Sequence, residues 1–252
     1  MKKLISLLLL LTTCLSLFAM TSCGSEYRLG LGVIYNATNP TDALGGEGDE
    51  VDLGVTTATY TVCAMTLDKD GKIVACTFDT LETKLQYSHD GKAVEITSLK
   101  TKREQGKDYG MVAWGGSELE WFEQADAFAT VLVGKTKGDI ASLATADGKG
   151  NSDVITAGCT ITVSDFVKAA EKAYAAAESG TVVKDSAVTL SVNSTQTKAD
   201  ATADANGNVT VNTTFEASVG GNKVSASYKA AVTFDPSGKA TVPADGVITA
   251  AN

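Results

Sequence analysis

Apolar and polar positions alternate along much of this chain, and only its middle switches to a helical period. Arg28 to Tyr35 (RLGLGVIY) predicts a first strand, followed by a polar connector over Asn36 to Glu50. From Thr56 the run TTATYTVCAMTLDKDGKIVACTFD alternates, breaks at Asp68-Lys69-Asp70-Gly71, and alternates again. Asp-Gly between two such runs signals a hairpin, because glycine takes a positive φ without steric cost. A second turn, Ser88-His89-Asp90-Gly91-Lys92, separates KLQY from AVEITSL, so four strand segments are expected in one antiparallel sheet.

Trp121, Ala125, Phe128 and Leu132 then recur at helical spacing behind an expected cap at Ser117, with Gly134 as terminator. Gly138 to Thr145 predicts a short helix. Ser164 is expected to cap a longer one over Asp165 to Ser179, with Phe166, Ala170, Ala173 and Ala177 on one face and Gly180 after it. Asp165 in its first turn suits the helix dipole. Beyond Gly180 the helical period disappears and Thr, Ser, Asn, Val and Ala dominate. VTVNTTFEASV, Gly220-Gly221-Asn222 and VSASYKAAVTFD read as a β-meander, with a further turn at Pro236 to Lys239.

The fold class implied is α+β: an antiparallel sheet packed by two or three helices, followed by a C-terminal Thr-rich β-meander. YKAAVTFDPSGKATV (228–242) echoes YTVCAMTLDKDGKIV (60–74), and Val188–Val192 echoes Leu29–Val33. Partial duplication and convergent strand-and-turn composition both account for this echo.

The first 22 residues read as a lipoprotein signal peptide. Lys2 and Lys3 form a positive n-region, and the apolar run from Leu4 to Phe18 is too short and too interrupted for a membrane span. Met20-Thr21-Ser22-Cys23 resembles a lipobox, which makes Cys23 the expected diacylglycerol acceptor and places the protein on the extracytoplasmic face of a cell membrane, lipid-anchored. Residues 23–55 then form a lipidated tether with the first strand and connector, 56–179 an α+β domain, and 180–252 the meander. Removing Lys2 and Lys3 turns the net charge of −9 into −11, with 19 basic against 30 acidic side chains. Such a chain repels nucleic acid and anionic headgroups, so contact with the membrane is expected through the lipid alone, alongside an envelope protein partner.

Catalytic devices are hard to assemble from this sequence. The single histidine, His89, falls in a turn, and nothing arranges a nucleophile beside it. No C-x-x-C occurs and the usual zinc sets are excluded, so neither catalytic nor metal-ligating residues are expected. Gly134-Lys135-Thr136 resembles the end of a phosphate-binding loop but lacks the earlier glycine. Cys63 and Cys76 lie on opposite arms of the Asp70-Gly71 hairpin. A four-residue loop makes them face each other within reach of a disulfide, whereas a three-residue loop with a Gly bulge points them to opposite faces; without a disulfide they are two buried thiols acting as small hydrophobes. Tyr109, Trp114, Trp121, Phe122 and Phe128 concentrate in a chain poor in aromatics, as a core plug or as one wall of a ligand site.

The segment Asp153-Val-Ile-Thr-Ala-Gly-Cys-Thr-Ile-Thr162 precedes the Ser164 helix. It resembles the motif of FMN-binding domains found in bacterial sodium-pumping quinone reductases and exported electron-transfer lipoproteins. Those domains carry an acidic residue, Ser/Thr-Gly-Ala-Thr and then a helix, with flavin joined through its phosphate to the last threonine. The matching residues are Ala157-Gly158-Cys159-Thr160, with Ala157 replacing Ser/Thr, Cys159 replacing Ala, and Asp153 one residue further upstream. Across roughly Thr56 to Ser179 the chain also looks like lipoproteins of anaerobic gut bacteria without a settled activity. The resemblance implies a non-catalytic binding module carrying FMN for electron transfer. Thr160 would then be the phosphate acceptor, Gly158 would permit close approach, and Trp114 and Tyr109 would neighbour the ring. The other class of function consistent with the sequence is a cell-envelope interaction or structural protein without a cofactor, whose Thr-rich tail and acidic surface make the contacts.

Overall fold

The computed structural model describes residues 26–37, 54–87, 93–97, 100–194, 208–234, 240–241 and 247–251. Cys23, the lipobox and His89 lie outside these residues, as does the turn at Pro236 to Lys239. Ten strands and five α-helices are described. The first sheet contains β1 (Tyr27–Ala37), β2 (Gly54–Leu67), β3 (Ile73–Tyr87), β4 (Ala93–Thr97) and β5 (Thr181–Val183), in the antiparallel order β4-β3-β2-β1-β5. The second sheet contains β6 (Thr189–Ser194), β7 (Asn208–Val219), β8 (Asn222–Phe234), β9 (Ala240–Thr241) and β10 (Val247–Ala251), with β7 between β6 and β8. The helices α1 (Lys102–Gln105), α2 (Trp121–Leu132), α3 (Lys137–Ile140), α4 (Ser152–Thr156) and α5 (Ser164–Glu178) fall between β4 and β5. The class is α+β.

Both faces of the first sheet are covered, which sets its sequence. Every residue from Tyr60 to Leu67 is buried. Cys63, Met65 and Leu67 face the helices, and Phe78, Phe128, Phe166 and Trp121 join them in one core. The Phe166 ring centroid lies 4.9 Å from Phe78, 5.5 Å from Phe128 and 5.7 Å from Trp121. On the opposite face Val33, Tyr60, Val62 and Leu81 pack on Phe215, while Leu29 and Ala64 pack on Ala217 and Val219. Along β7 the burial alternates, with Thr213, Phe215, Ala217 and Val219 buried and Thr214, Glu216 and Ser218 half-buried between them. The result is three layers: helices, first sheet, second sheet.

Helix α5 lies directly on β1 because the strand offers no side chains there. A Cβ added at Gly30 would stand 2.2 Å from the Ala173 carbonyl oxygen, and one at Gly32 would stand 2.3 Å from that of Ala169. Ala169, Ala173 and Ala177 supply the matching small face. The contact fixes polarity as well. Arg28 Nη1 donates to the Glu178 carbonyl at 2.8 Å, and Asn36 Nδ2 donates to Asp165 Oδ2 at 2.8 Å. The start of β1 and the end of α5 thus share one pole, and the start of α5 occupies the other, roughly 22 Å away for a helix of this length.

Several sequence expectations are corrected. KLQY is not a separate strand but the end of β3, which runs unbroken from Ile73 to Tyr87. The first hairpin turns over Asp68 to Lys72, with a register irregularity between Thr66 and Leu67. Cys63 therefore opposes Phe78 and Cys76 opposes Met65. The two cysteines share the helix-facing side as diagonal neighbours, a spacing of about 7–8 Å that a disulfide does not ordinarily bridge, and both are free thiols. β5 and β6–β10 differ in destination: β5 joins the first sheet, and the rest form the second. The echo between 29–33 and 188–192 is not matched in pairing, since β1 and β2 are neighbours while β7 separates β6 from β8.

Candidate functional site

The pole at the start of α5 gathers two irregular loops, 110–120 and 157–163. The first is held by the residue that begins α2. Glu120 is 4% exposed, and its carboxylate accepts the backbone N–H groups of Met111 at 3.0 Å and Val112 at 3.3 Å. Glu120 is also the N-cap, in a capping box with Glu123, so Ser117 does not cap this helix. The loop then turns over, with Trp114 N–H donating to the Gly110 carbonyl at 2.9 Å and Ser117 N–H to that of Met111 at 3.0 Å. Trp114 is 82% exposed and is the most exposed large apolar residue described, with Val112 beside it at 46%.

The second loop follows α4, which Asn151 caps by accepting from Asp153 N–H and Val154 N–H at 3.1 Å. The first residues of this segment form the helix, and the rest form the loop. Gly158 has φ +108°, a conformation that side-chain-bearing residues rarely adopt. It turns the chain so that Cys159 points into the core, where burial pushes its thiol up to about 11. Thr160 faces solvent.

Gln124 joins the two loops. It lies one turn into α2 and is 1% exposed. Its Oε1 accepts from Thr160 N–H at 2.9 Å, Thr160 Oγ1–H at 3.1 Å and Ile161 N–H at 3.2 Å. Its Nε2 donates to Ser117 Oγ at 3.0 Å and to the Leu119 carbonyl at 3.1 Å. Ser117 thus serves the loop as a partner of Gln124. The loops also touch directly, since a Cβ added at Gly158 would meet Leu119 Cδ1 at 3.1 Å. Both amide termini of Gln124 are satisfied, as a buried side chain of this kind requires. Sequence reasoning missed it, because a glutamine on the apolar side of a helix carries no motif.

Tyr109 and Trp114 have separate surroundings. The Tyr109 ring is half-buried and lies under Lys102 Nζ, 4.7 Å from its centroid, and Lys102 is paired with Glu82 at 2.7 Å. That ring is committed to the fold on one face. Of the aromatics flagged in the sequence, Trp121 and Phe128 belong to the core and Phe122 packs against it, leaving Trp114 as the one turned to solvent.

The start of α5 lies four residues beyond Thr160. Val163 precedes it without a side-chain cap, and its N–H donates to the Gly148 carbonyl at 2.8 Å. Ser164 is the first residue of the helix rather than its cap, and Asp165 already places a carboxylate in the first turn. Lys149 Nζ reaches Thr162 Oγ1 at 3.3 Å. Among the described residues no cluster of His, Cys, Asp or Glu is suited to a metal ion, and no helix is long and apolar enough to cross a membrane. No protein-family model, curated protein or solved structure matches this chain.

Proposed function

We propose that the protein is a lipid-anchored extracytoplasmic module that binds rather than catalyses, and that it carries FMN for electron transfer as a phosphoester of Thr160. The observation that carries this reading is the Gln124 hub. It gathers a loop with an exposed threonine and a loop with an exposed tryptophan onto one buried amide. The residues present suit such a group at its point of attachment. Thr160 is exposed, the positive φ of Gly158 gives it a tight backbone turn, and Trp114 offers an unburied ring on the adjoining loop. When bound, FMN would supply one- and two-electron chemistry that no side chain here has. The chain's part is to fix the attachment point and hold it in place.

The architecture supports the anchoring half of the reading. Cys23 precedes β1, whose first residues sit at the pole where α5 ends. The Thr160 loop sits at the pole where α5 begins, so a lipid on Cys23 would hold the site away from the bilayer. The test is expression of residues 24–252 outside the cytoplasm with a flavin transferase. A yellow protein with an added flavin mass is expected, and a colourless, unmodified Thr160→Ala variant. An unmodified wild-type protein that also fails to bind free FMN overturns the carrier reading.

A second reading, an envelope interaction protein without a cofactor, draws on Trp114 itself. Tryptophan is enriched among contact hot spots, and this one is left with most of its surface in water for a partner to cover. In that case Trp114→Ala removes partner capture from envelope extracts while leaving the melting temperature unchanged.

A further inference from the structure

We infer that Gln124 is the positioning residue for modification of Thr160, an inference that rests on the carrier reading. A threonine on an exposed loop ordinarily samples several χ1 rotamers, and its hydroxyl hydrogen turns freely. Here both are fixed. The Thr160 hydroxyl hydrogen is committed to Gln124 Oε1 at 3.1 Å, and the same oxygen takes the backbone N–H of Thr160 and that of Ile161. The threonine is held at its backbone and its side chain by one acceptor. The Oγ1 lone pairs are left for an incoming phosphorus, because its only hydrogen is engaged with the buried amide.

Gln124 suits this task for two reasons. Its position on α2 is rigid, since the amide is 1% exposed and Nε2 is held by Ser117 and Leu119. Its oxygen is neutral, so it holds the hydroxyl hydrogen without adding a negative charge to repel a phosphate. In the attachment step the Thr160 Oγ1–P bond forms and the pyrophosphate bond of a flavin dinucleotide breaks. AMP leaves, and the hydroxyl proton passes to the transferase. Gln124 then loses one of three donors and keeps the two backbone N–H groups, so the loop retains its anchorage after modification.

The test compares labelling of residues 24–252 in the wild type, Gln124→Glu and Gln124→Met, each co-expressed with a flavin transferase and read by intact mass over time. Glutamate preserves an oxygen acceptor facing Thr160, whereas methionine preserves only the length and bulk. Far-UV circular dichroism establishes that each variant is folded, and amide hydrogen exchange reads protection of Thr160 and Ile161. The expected result is slow labelling and lost protection in folded Gln124→Met, with at least about a tenfold drop in rate. Protection should be recovered in Gln124→Glu, with labelling faster than in Gln124→Met but slower than in the wild type, because its carboxylate charge faces the incoming phosphate. Equal labelling of wild type and folded Gln124→Met overturns the positioning role and leaves the carrier reading intact. A wild type that takes no label overturns both. Should Gln124→Met fail to fold, Thr160→Ser in the wild-type background decides the matter. Serine keeps the hydroxyl bond to Gln124, so labelling near the wild-type rate is expected, and tenfold slower labelling overturns the role.

Discussion

Cys63, Cys76 and Cys159 show how position decides what a side chain is for. Burial pushes the Cys63 thiol well above its ordinary value, with Cys76 nearby adding to the shift. Burial, with a smaller push from Asp126, takes Cys76 up to about 12, and Cys159 rises to about 11. At pH 8 fewer than about one in a thousand of the latter two thiols is ionised. Iodoacetamide should therefore leave folded 24–252 unmodified at pH 8 and add three groups after denaturation. Mass spectrometry reads both states. A disulfide between Cys63 and Cys76 would show as two fewer mass units and only one alkylated cysteine. At this scale the sequence offers a resemblance of motif and is opaque where contact decides. Thr160 and Gly158 stood out from their neighbours in a four-residue pattern. Gln124 did not, because its role depends on the chain bringing Thr160, 36 positions further on, back to it.

Among the secondary structure elements, the α5–β1 contact is the most sharply specified. The strand RLGLGVIY was readable from alternation, but the alternation does not say what its two glycines are for. They are where the helix backbone rests. Gly32→Ala places a methyl 2.3 Å from the Ala169 carbonyl oxygen and the Ala173 nitrogen, and neither backbone atom can swing aside as a side-chain end does. The expected cost is about 2–3 kcal/mol, a fall of about 5–10 °C in melting temperature for a domain of this size. A thermal scan within about a degree of wild type would refute the contact. The helix caps were less legible. Ser117 and Ser164 have the right chemistry for caps, yet Glu120 and Val163 hold those places, because Ser117 is taken up by Gln124 and Met111 and the loop ahead of Ser164 is drawn to Gln124 and Gly148. The first hairpin was located correctly, but its register was not. One added loop residue and the irregularity at Thr66–Leu67 move every cross-strand partner.

For the molecule as a whole, the Thr-rich C-terminal region is part of the core and not an appendage. Phe215, Ala217 and Val219 cover Leu29, Val33, Tyr60, Val62, Ala64 and Leu81. Ending the chain at residue 187 would expose this face. Each large apolar side chain returned to water costs about 1.5–3 kcal/mol, and several together exceed the whole stability of an ordinary domain, about 5–15 kcal/mol. The shortened protein should be insoluble or bind a hydrophobic dye strongly, whereas a soluble, cooperatively melting product would mean that the first sheet stands alone. Composition announced the strands of this region, but their partner could not be read, since one buried face looks the same whether it meets helices or another sheet. The same layering leaves the α5-start pole to the two Gln124-linked loops, while the first residues of β1 lie at the other.

The central claim, that Thr160 carries a flavin group, is most directly tested by peptide mapping. Trypsin cleaves after Lys149 and Lys168, releasing one peptide with Thr156, Thr160 and Thr162. Taken from protein co-expressed with a flavin transferase, it should carry an FMN phosphodiester, and fragmentation should place the added mass on Thr160. A peptide of unmodified mass, or an adduct on Thr156 or Thr162, would contradict the account.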